Sequence, residues 1–392
     1  MKKFIIGIYI LLSISLNAQN KWVATWATAI ECAKIADMPN TPLTNNALRQ
    51  VIRVSLGGEK IRLQLTNELN DEDIEIKSIY ISDALTSDSI NPYKTKYLTF
   101  SGKKNIVIKQ GIAIYSDPLV YDLEPLARIS ITINYGKCPT TITTHRGSRT
   151  TSYIMQGESK PKNAFIIEEK VEHWYTISAL EVEAPMETKC IACIGNSITD
   201  GRGTTTDANN RWTDILAEAF QGQVGVLNLG IGGNCVLQGG LGIPAISRFH
   251  RDVLSQQGVT DIIIFEGIND IGGSKNRSES VTSRLLKAYS QMIDSAHTKG
   301  LNVYGGTLTP FQNTSYWSYF HEAARMTVNE WIRSYGNFDG VIDFDKQVQD
   351  PQNPNCFHED YQSDWLHPNP TGYRIMGEYA AKCLQNISNN IN

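Results

Sequence analysis

The hydrophobic period of this chain changes once, near Ala184-Pro185, and that change limits the folds open to it. Before it, short runs alternate apolar and polar residues: Leu48 to Leu56, Lys60 to Thr66, Ile74 to Ser82, Asn105 to Ile108, Arg128 to Tyr135 and Trp174 to Val182. β-Branched residues dominate these runs and turn residues interrupt them, which predicts an antiparallel β-sandwich or jelly roll. After it, apolar runs at Lys189 to Ile194, Val224 to Leu227, Ile262 to Phe265, Asn302 to Thr307 and Gly340 to Phe344 read as strands. Helical patterns fall near Arg211 to Phe220, Ser280 to Lys299, Tyr319 to Tyr335 and Thr371 to Leu384. That alternation predicts an α/β region with a parallel sheet and helices on both faces. The expected division is a β-sandwich over 19–185 and an α/β unit over 186–392, each long enough to bury its own core.

Residues 1–18 read as a signal peptide. Lys2 and Lys3 supply the positive start, Phe4 to Leu16 is apolar but short for a bilayer, and Ala18 is a small residue at a plausible cleavage point. A secreted or periplasmic protein is therefore expected. No cysteine follows the apolar run before Cys32, which argues against a lipid-modified N-terminus. No later segment reads as a membrane span, so no stable membrane insertion is expected. The formal charge is −4 and basic residues form no long run, so nucleic acid is not an expected partner. Seven cysteines permit disulfides after export, but the odd count leaves at least one unpaired in a monomer. Cys190 and Cys193 have the spacing of a redox pair. They lie within a predicted strand, where positions three apart face opposite ways, so buried strand cysteines are the favoured reading over a catalytic dithiol.

The strand ending at Ile194 runs into Gly195-Asn196-Ser197-Ile198-Thr199-Asp200-Gly201. A serine at such a strand-to-helix turn exposes its hydroxyl beside free backbone N–H groups, as an acyl-transfer nucleophile requires. By itself it is as often an ordinary turn residue. Further along, Asp364 precedes His367 by one turn, close enough to hold the imidazole Nδ1–H and leave Nε2 free to take a serine proton. Gly233 follows one apolar run and Asn269 another. The N–H groups of Ser197 and Gly233, with the Asn269 amide, form a candidate oxyanion hole. Asp200 and Asp270 are expected to brace loops, and Trp365 and Leu366 to line an acyl pocket. Trp22, Trp26 and Trp174 either bind carbohydrate or, more in keeping with their size, pack inside. Arg146, Arg149 and Tyr153 are placed to reach the rim of the site.

These blocks, in this order, resemble the SGNH, or GDSL-type, hydrolase superfamily over roughly Lys189 to the end of the chain. The family usually carries Asp before the nucleophile, where this chain has Asn196. The resemblance implies a flavodoxin-like three-layer α/β/α catalytic domain with Ser197, Asp364 and His367 as the catalytic set and no metal or cofactor. Trp22 to Trp26, Leu48 to Gly58, Thr151-Ser152-Tyr153, Arg211-Trp212 and Gly267 to Ile271 further resemble two-domain secreted members described as acetylxylan-esterase-like. That implies a serine esterase acting on an acetylated plant carbohydrate. A lipase or lysophospholipase would use the same groups with a broad apolar acyl groove, and a non-catalytic glycan-binding protein would keep only the fold. Other chemistries fail on the text. A Gly-x-Ser-x-Gly elbow is broken by Thr199, His321-Glu322 lacks a second zinc-binding histidine, and the glycines from Gly230 to Gly233 lack the last glycine of a dinucleotide fingerprint.

Overall fold

The computed structural model describes residues 19–86 and 88–388. The leader expected at 1–18 lies outside them.

Up to Pro185 every strand pairing is antiparallel. One sheet runs Asn20–Ala27, Ile177–Pro185, Gly58–Thr66 and Ala113–Tyr115, with Leu119–Leu123 also on Gly58–Thr66. A larger one runs Glu169–Val171, Ser152–Met155, Ala47–Arg53, Arg128–Tyr135, Ile74–Asp83 and Lys96–Tyr97. A three-stranded sheet joins Trp174–Tyr175, Thr143–His145 and Glu31–Cys32. The run from Trp174 to Val182, continuous in the sequence pattern, is split because Thr176 takes a left-handed φ of 67° and sends its two parts into different sheets. The tryptophans pack. Trp26 and Trp174 are buried edge to face at 5.0 Å, and Trp174 Nε1 donates to Val51 O. Trp22 stacks under the Arg62 guanidinium.

From Cys190 onward the sheet is parallel, in the spatial order Gly225–Gly230, Cys190–Gly195, Asp261–Phe265, Asn302–Gly306, Gly340–Ile342. This is the 2-1-3-4-5 order of flavodoxin-like folds, in which ligands sit at the carboxyl ends of strands where the winding reverses. Here the reversal falls at Cys190–Gly195, whose neighbours on either side are the second and third strands. Helices Trp212–Ala219, Ser278–His297, Tyr319–Ser334 and Pro370–Ser388 follow the expected pattern within a few residues. Short helices at Ser197–Asp200, Ile268–Gly272 and Phe344–Val348 fill turns where periodicity has too few residues to register. Cys190 and Cys193 are buried in their strand, and all seven cysteines are free. Among the described residues no helix is long and apolar enough to cross a membrane.

Two separate cores were expected, yet the buried apolar residues form one contiguous cluster. The Asn20–Ala27 strand lies against Gly225–Gly230. Polar ties cross the same junction: Ala24 N donates to Gln257 O, Val226 N to Ser55 Oγ, and Thr151 N and Oγ1 to the Asp207 carboxylate. The all-β region is thereby fixed against the face that carries the nucleophile turn.

Candidate active site

Ser197 opens a one-turn helix just after the Cys190–Gly195 strand. Asn196 caps it, its Oδ1 accepting from Ile198 N at 3.0 Å, and Gly201 ends it in the left-handed region. The turn is tight. A Cβ on Gly195 would lie 2.1 Å from Thr199 Oγ1 and 2.7 Å from Phe265 O, so only glycine fits there. Ser197 Oγ lies 2.8 Å from His367 Nε2. Across the ring, His367 Nδ1 is 2.9 and 3.0 Å from the two Asp364 oxygens. With Nδ1–H donated to the carboxylate, Nε2 is left to accept from the serine hydroxyl.

The Asp364–His367 loop holds its own shape. Asp364 Oδ1 also accepts from the backbone N–H of Leu366 and His367, an Asx turn, while Ser363 N donates to His367 O. Trp365 takes the left-handed conformation inside it. Asn369 then caps the last helix, accepting from Gly372 N, with Pro370 at its first position. Burial lowers the His367 pKa below the ordinary imidazole value and outweighs the Asp364 carboxylate, with Arg202 and Arg149 pushing the same way. Burial raises Asp364, but its hydrogen bonds from His367 prevail and hold it below the usual carboxylate range.

Opposite the histidine, Ser197, Gly233 and Asn269 line one cleft of about 290 Å³ together with His367. Gly233 has φ +71°, a conformation that presents its N–H where an L side chain would be strained. Among the described residues neither that N–H nor the Ser197 N–H donates elsewhere. Asn269 Nδ2 gives one hydrogen to Asn234 O at 2.7 Å, and its Oδ1 accepts from Tyr316 at 2.9 Å. That fixes the amide orientation and leaves a second N–H. Asp270, next to it, accepts from Val236 N and Leu237 N, tying the Asn269 turn to the Gly233 loop. Burial pushes its carboxyl up to about 6.

Arg248 and His145, which sequence reasoning passed over, support this arrangement together with Asp200, expected as a brace, and Arg149, expected at the rim. Arg248, fully buried, donates to Gly195 O, Leu229 O and Asn234 Oδ1, so one guanidinium pins the ends of two strands and the Gly233 loop. His145, from the all-β region, places Nε2 3.0 Å from Asp200 Oδ1 and Nδ1 2.8 Å from Ala29 O. Arg149 donates to the other Asp200 oxygen, and Arg211 joins the Asp200 and Ser148 carbonyls. The nucleophile helix is therefore clamped at Asp200 from outside its own sheet. Arg146 and Arg149 do line the cleft; Tyr153 does not, being set in its strand opposite Arg49. Leu366 lines it and Trp365 does not.

The profile of the GDSL-like Lipase/Acylhydrolase family matches residues 193–375. Among solved structures the chain is similar to a member of the lipolytic protein G-D-S-L family from Veillonella parvula, at 25% identity over 50% of this chain and 99% of that one, TM-score 0.38. It is also similar to a GDSL-like lipase from Bacteroides thetaiotaomicron, at 17% over 50% and 88%, TM-score 0.39. A third is Est24, a carbohydrate acetylesterase from Sinorhizobium meliloti, at 13% over 51% and 100%, TM-score 0.40. No curated protein matches the chain. The strand order, the ordered Ser, Gly, Asn and His positions and the family match lead to one assignment: over residues 193–375 the chain carries an ester-hydrolase domain of the GDSL-like lipase/acylhydrolase family, within the SGNH superfamily.

Proposed function

We propose that this protein is an exported serine esterase that removes short acyl groups, acetyl foremost, from carbohydrate. The observation that carries the reading is the continuous relay from Ser197 Oγ through His367 to Asp364, opening on a cleft that also holds Gly233 and Asn269. In the first step His367 Nε2 takes the serine proton as Oγ bonds to the ester carbonyl carbon. Asp364 stabilises the imidazolium, and the N–H groups of Ser197, Gly233 and Asn269 hold the oxyanion. The intermediate collapses, the C–O bond to the sugar breaks, and the alkoxide leaves with the proton from His367. Water then attacks the acyl-enzyme by the same relay and frees the acid.

A short acyl group is supported by what lines the cleft. Leu241, Leu366 and Tyr316 are its bulky apolar or aromatic members, set among charged side chains and glycines. The more apolar hollows, around Leu286, Met326 and Phe320, lie on the Ser278–His297 and Tyr319–Ser334 helices and do not include Ser197. A long lipid chain would want such a surface at the nucleophile. Export rests on the leader-like composition of residues 1–18.

The test is acetate release from acetylated xylan, with acetylated pectin alongside, by the purified protein and its Ser197→Ala variant. Loss of the nucleophile should lower kcat by about 10⁶-fold. Retention of most of the rate in Ser197→Ala would overturn the acyl-enzyme scheme. Cleavage of an aryl acetate with neither polymer deacetylated would keep the esterase and remove the polysaccharide.

A further inference from the structure

The cleft wall beside His367 carries Arg146, Arg149 and Arg202 in a chain whose formal charge is −4. Each guanidinium has a carboxylate partner, but the layering is uneven. Glu31 behind Arg146, and Asp200 behind Arg149, are only 2% exposed, whereas the two arginines are 21% and 29% exposed. At Arg146 and Arg149 the cation thus forms the surface that a ligand meets, with Glu31 and Asp200 beneath, whereas the Asp364 carboxylate near Arg202 is itself 44% exposed. Arg202 is freer still. It is 63% exposed, and its Nε is 4.0 Å from Asp364 Oδ2, the limit of an ion pair and too long for a hydrogen bond. Arg149 spends one terminal nitrogen on Asp200, and its side chain, 29% exposed, still lines the cleft.

Position decides what such a site would hold. His367 protonates the departing alkoxide, so groups beside it face the alcohol half of the ester. Gly233 and Asn269, across the serine, face the carbonyl oxygen. Arg202 is on the histidine side through Asp364, and the field of Arg202 and Arg149 reaches the imidazole, which both push toward its neutral form.

We propose that Arg149 and Arg202 form an anion subsite for a carboxylate on the sugar being deacylated, so that the preferred substrates are acetyl esters of uronate-bearing carbohydrate. The assignment rests on the esterase reading above. The carboxylate takes up guanidinium N–H groups that are otherwise left to water, and it fixes the alcohol side of the ester over the serine.

The decisive experiment compares acetate release from an acetylated oligogalacturonide and from its carboxyl-reduced, neutral counterpart, with an aryl acetate as a charge-free reference. The acidic substrate should show kcat/KM about tenfold higher, mainly through KM, and the advantage should shrink as salt is raised. In Arg202→Gln and in Arg149→Gln the acidic-to-neutral ratio should fall toward one, and Arg202→Lys should restore part of it. Equal rates on the two oligosaccharides, or a ratio that both glutamine variants leave intact, would overturn the subsite while the aryl acetate still reports the esterase. A preference for an aryl hemisuccinate over an aryl butyrate would place the carboxylate on the acyl side and overturn it equally. Loss of aryl acetate hydrolysis in the unmodified protein would instead count against the esterase itself.

Discussion

Two buried histidines sit against aspartates at nearly the same distance, and their surroundings drive them opposite ways. His367 is 2.9 Å from Asp364, and His145 is 3.0 Å from Asp200. Burial disfavours the charged form of both. His145 has two carboxylates near it, Asp200 and Glu31, and an acceptor in Ala29 O; together they overcome burial, and its pKa is raised. His367 has one carboxylate, 44% exposed, and is opposed by Arg202 and Arg149; burial wins, and its pKa is lowered. Distance to the nearest aspartate therefore does not identify a base. The count of charges around the ring does, and it separates a histidine in the floor of the site whose charged form is favoured from one at its mouth whose neutral, proton-accepting form is favoured.

Substitution at each histidine should pull the two roles apart. His367→Gln should lower kcat by about 10⁴- to 10⁶-fold with little change in unfolding free energy, because it removes the proton carrier from a loop that shapes itself through Asp364. His145→Gln should do the reverse. It leaves Asp200 buried with part of its compensation gone, a loss of about 3–5 kcal/mol when such a pair is broken, read by urea unfolding. Equal catalytic losses in the two variants would erase the distinction.

The His145 contribution should also depend on pH in a definite sense. A histidine raised above its unfolded value stabilises fully below that value, and the contribution is lost as pH rises through the folded one. Asp200 is pushed up by burial but held down more strongly by His145 and the arginines, so its own contribution is lost as pH falls through that lowered value. The stability gap between the native protein and His145→Gln should therefore be widest at mildly acidic to neutral pH and narrow toward alkaline pH.

The mouth of the site was legible in the sequence, whereas of its floor only Asp200, expected to brace a loop, was named there and its partners were not. Ser197, Gly233 and Asn269 each follow an apolar run, and His367 precedes a helical one, so local patterning marks their places. His145 and Asp200 are 55 positions apart, and Arg248 meets Gly195 at a separation of 53. Nothing local records such pairings, because a buried polar residue interrupts a hydrophobic run in the same way wherever its partner lies. For the same reason the sequence pattern suggested two cores: periodicity marks which faces are apolar but not which face meets which. The partial exception was Arg146 and Arg149, whose place before a short strand suggested the rim but not the carboxylates behind them.

Asn196 gives a smaller test, within the floor. The usual family residue there is Asp, and the difference has a neighbour to explain it. Glu266 is fully buried, and burial pushes its carboxyl well above the ordinary range, with Arg248 and Asn196 among the groups that offset this. Asp270 already presses on Glu266, and an aspartate at 196 would add a further carboxyl beside it. Asn196→Asp should keep the cap on Ile198, since either side chain offers an oxygen. It should still destabilise the fold by about 1–3 kcal/mol, the deficit growing as pH rises and both carboxyls are pressed to ionise. Thermal unfolding across mildly acidic to neutral pH measures it, and an unchanged Tm would mean that the two side chains do not share a field.

The smallest effect concerns the mouth alone. The rate should rise with pH as His367 loses its proton, and because that proton is held weakly the acid limb of kcat/KM should lie below the ordinary imidazole range. Arg202 is one cause of that weakness and is well exposed, so water screens most of its influence. Arg202→Gln should move the acid limb upward by no more than about half a unit. The plateau, not the sign, separates the causes. Removing a cation must ease protonation of a nearby base, so the limb shifts toward higher pH if Arg202 acts on His367 directly. If it acts instead by sharing the Asp364 charge with the ring, its loss should strengthen the existing Asp364–His367 bond, which also raises the limb but raises kcat at high pH as well. A profile measured on the aryl acetate, where no carboxylate occupies the cleft, separates the two: a shifted limb with an unchanged plateau assigns the effect to charge.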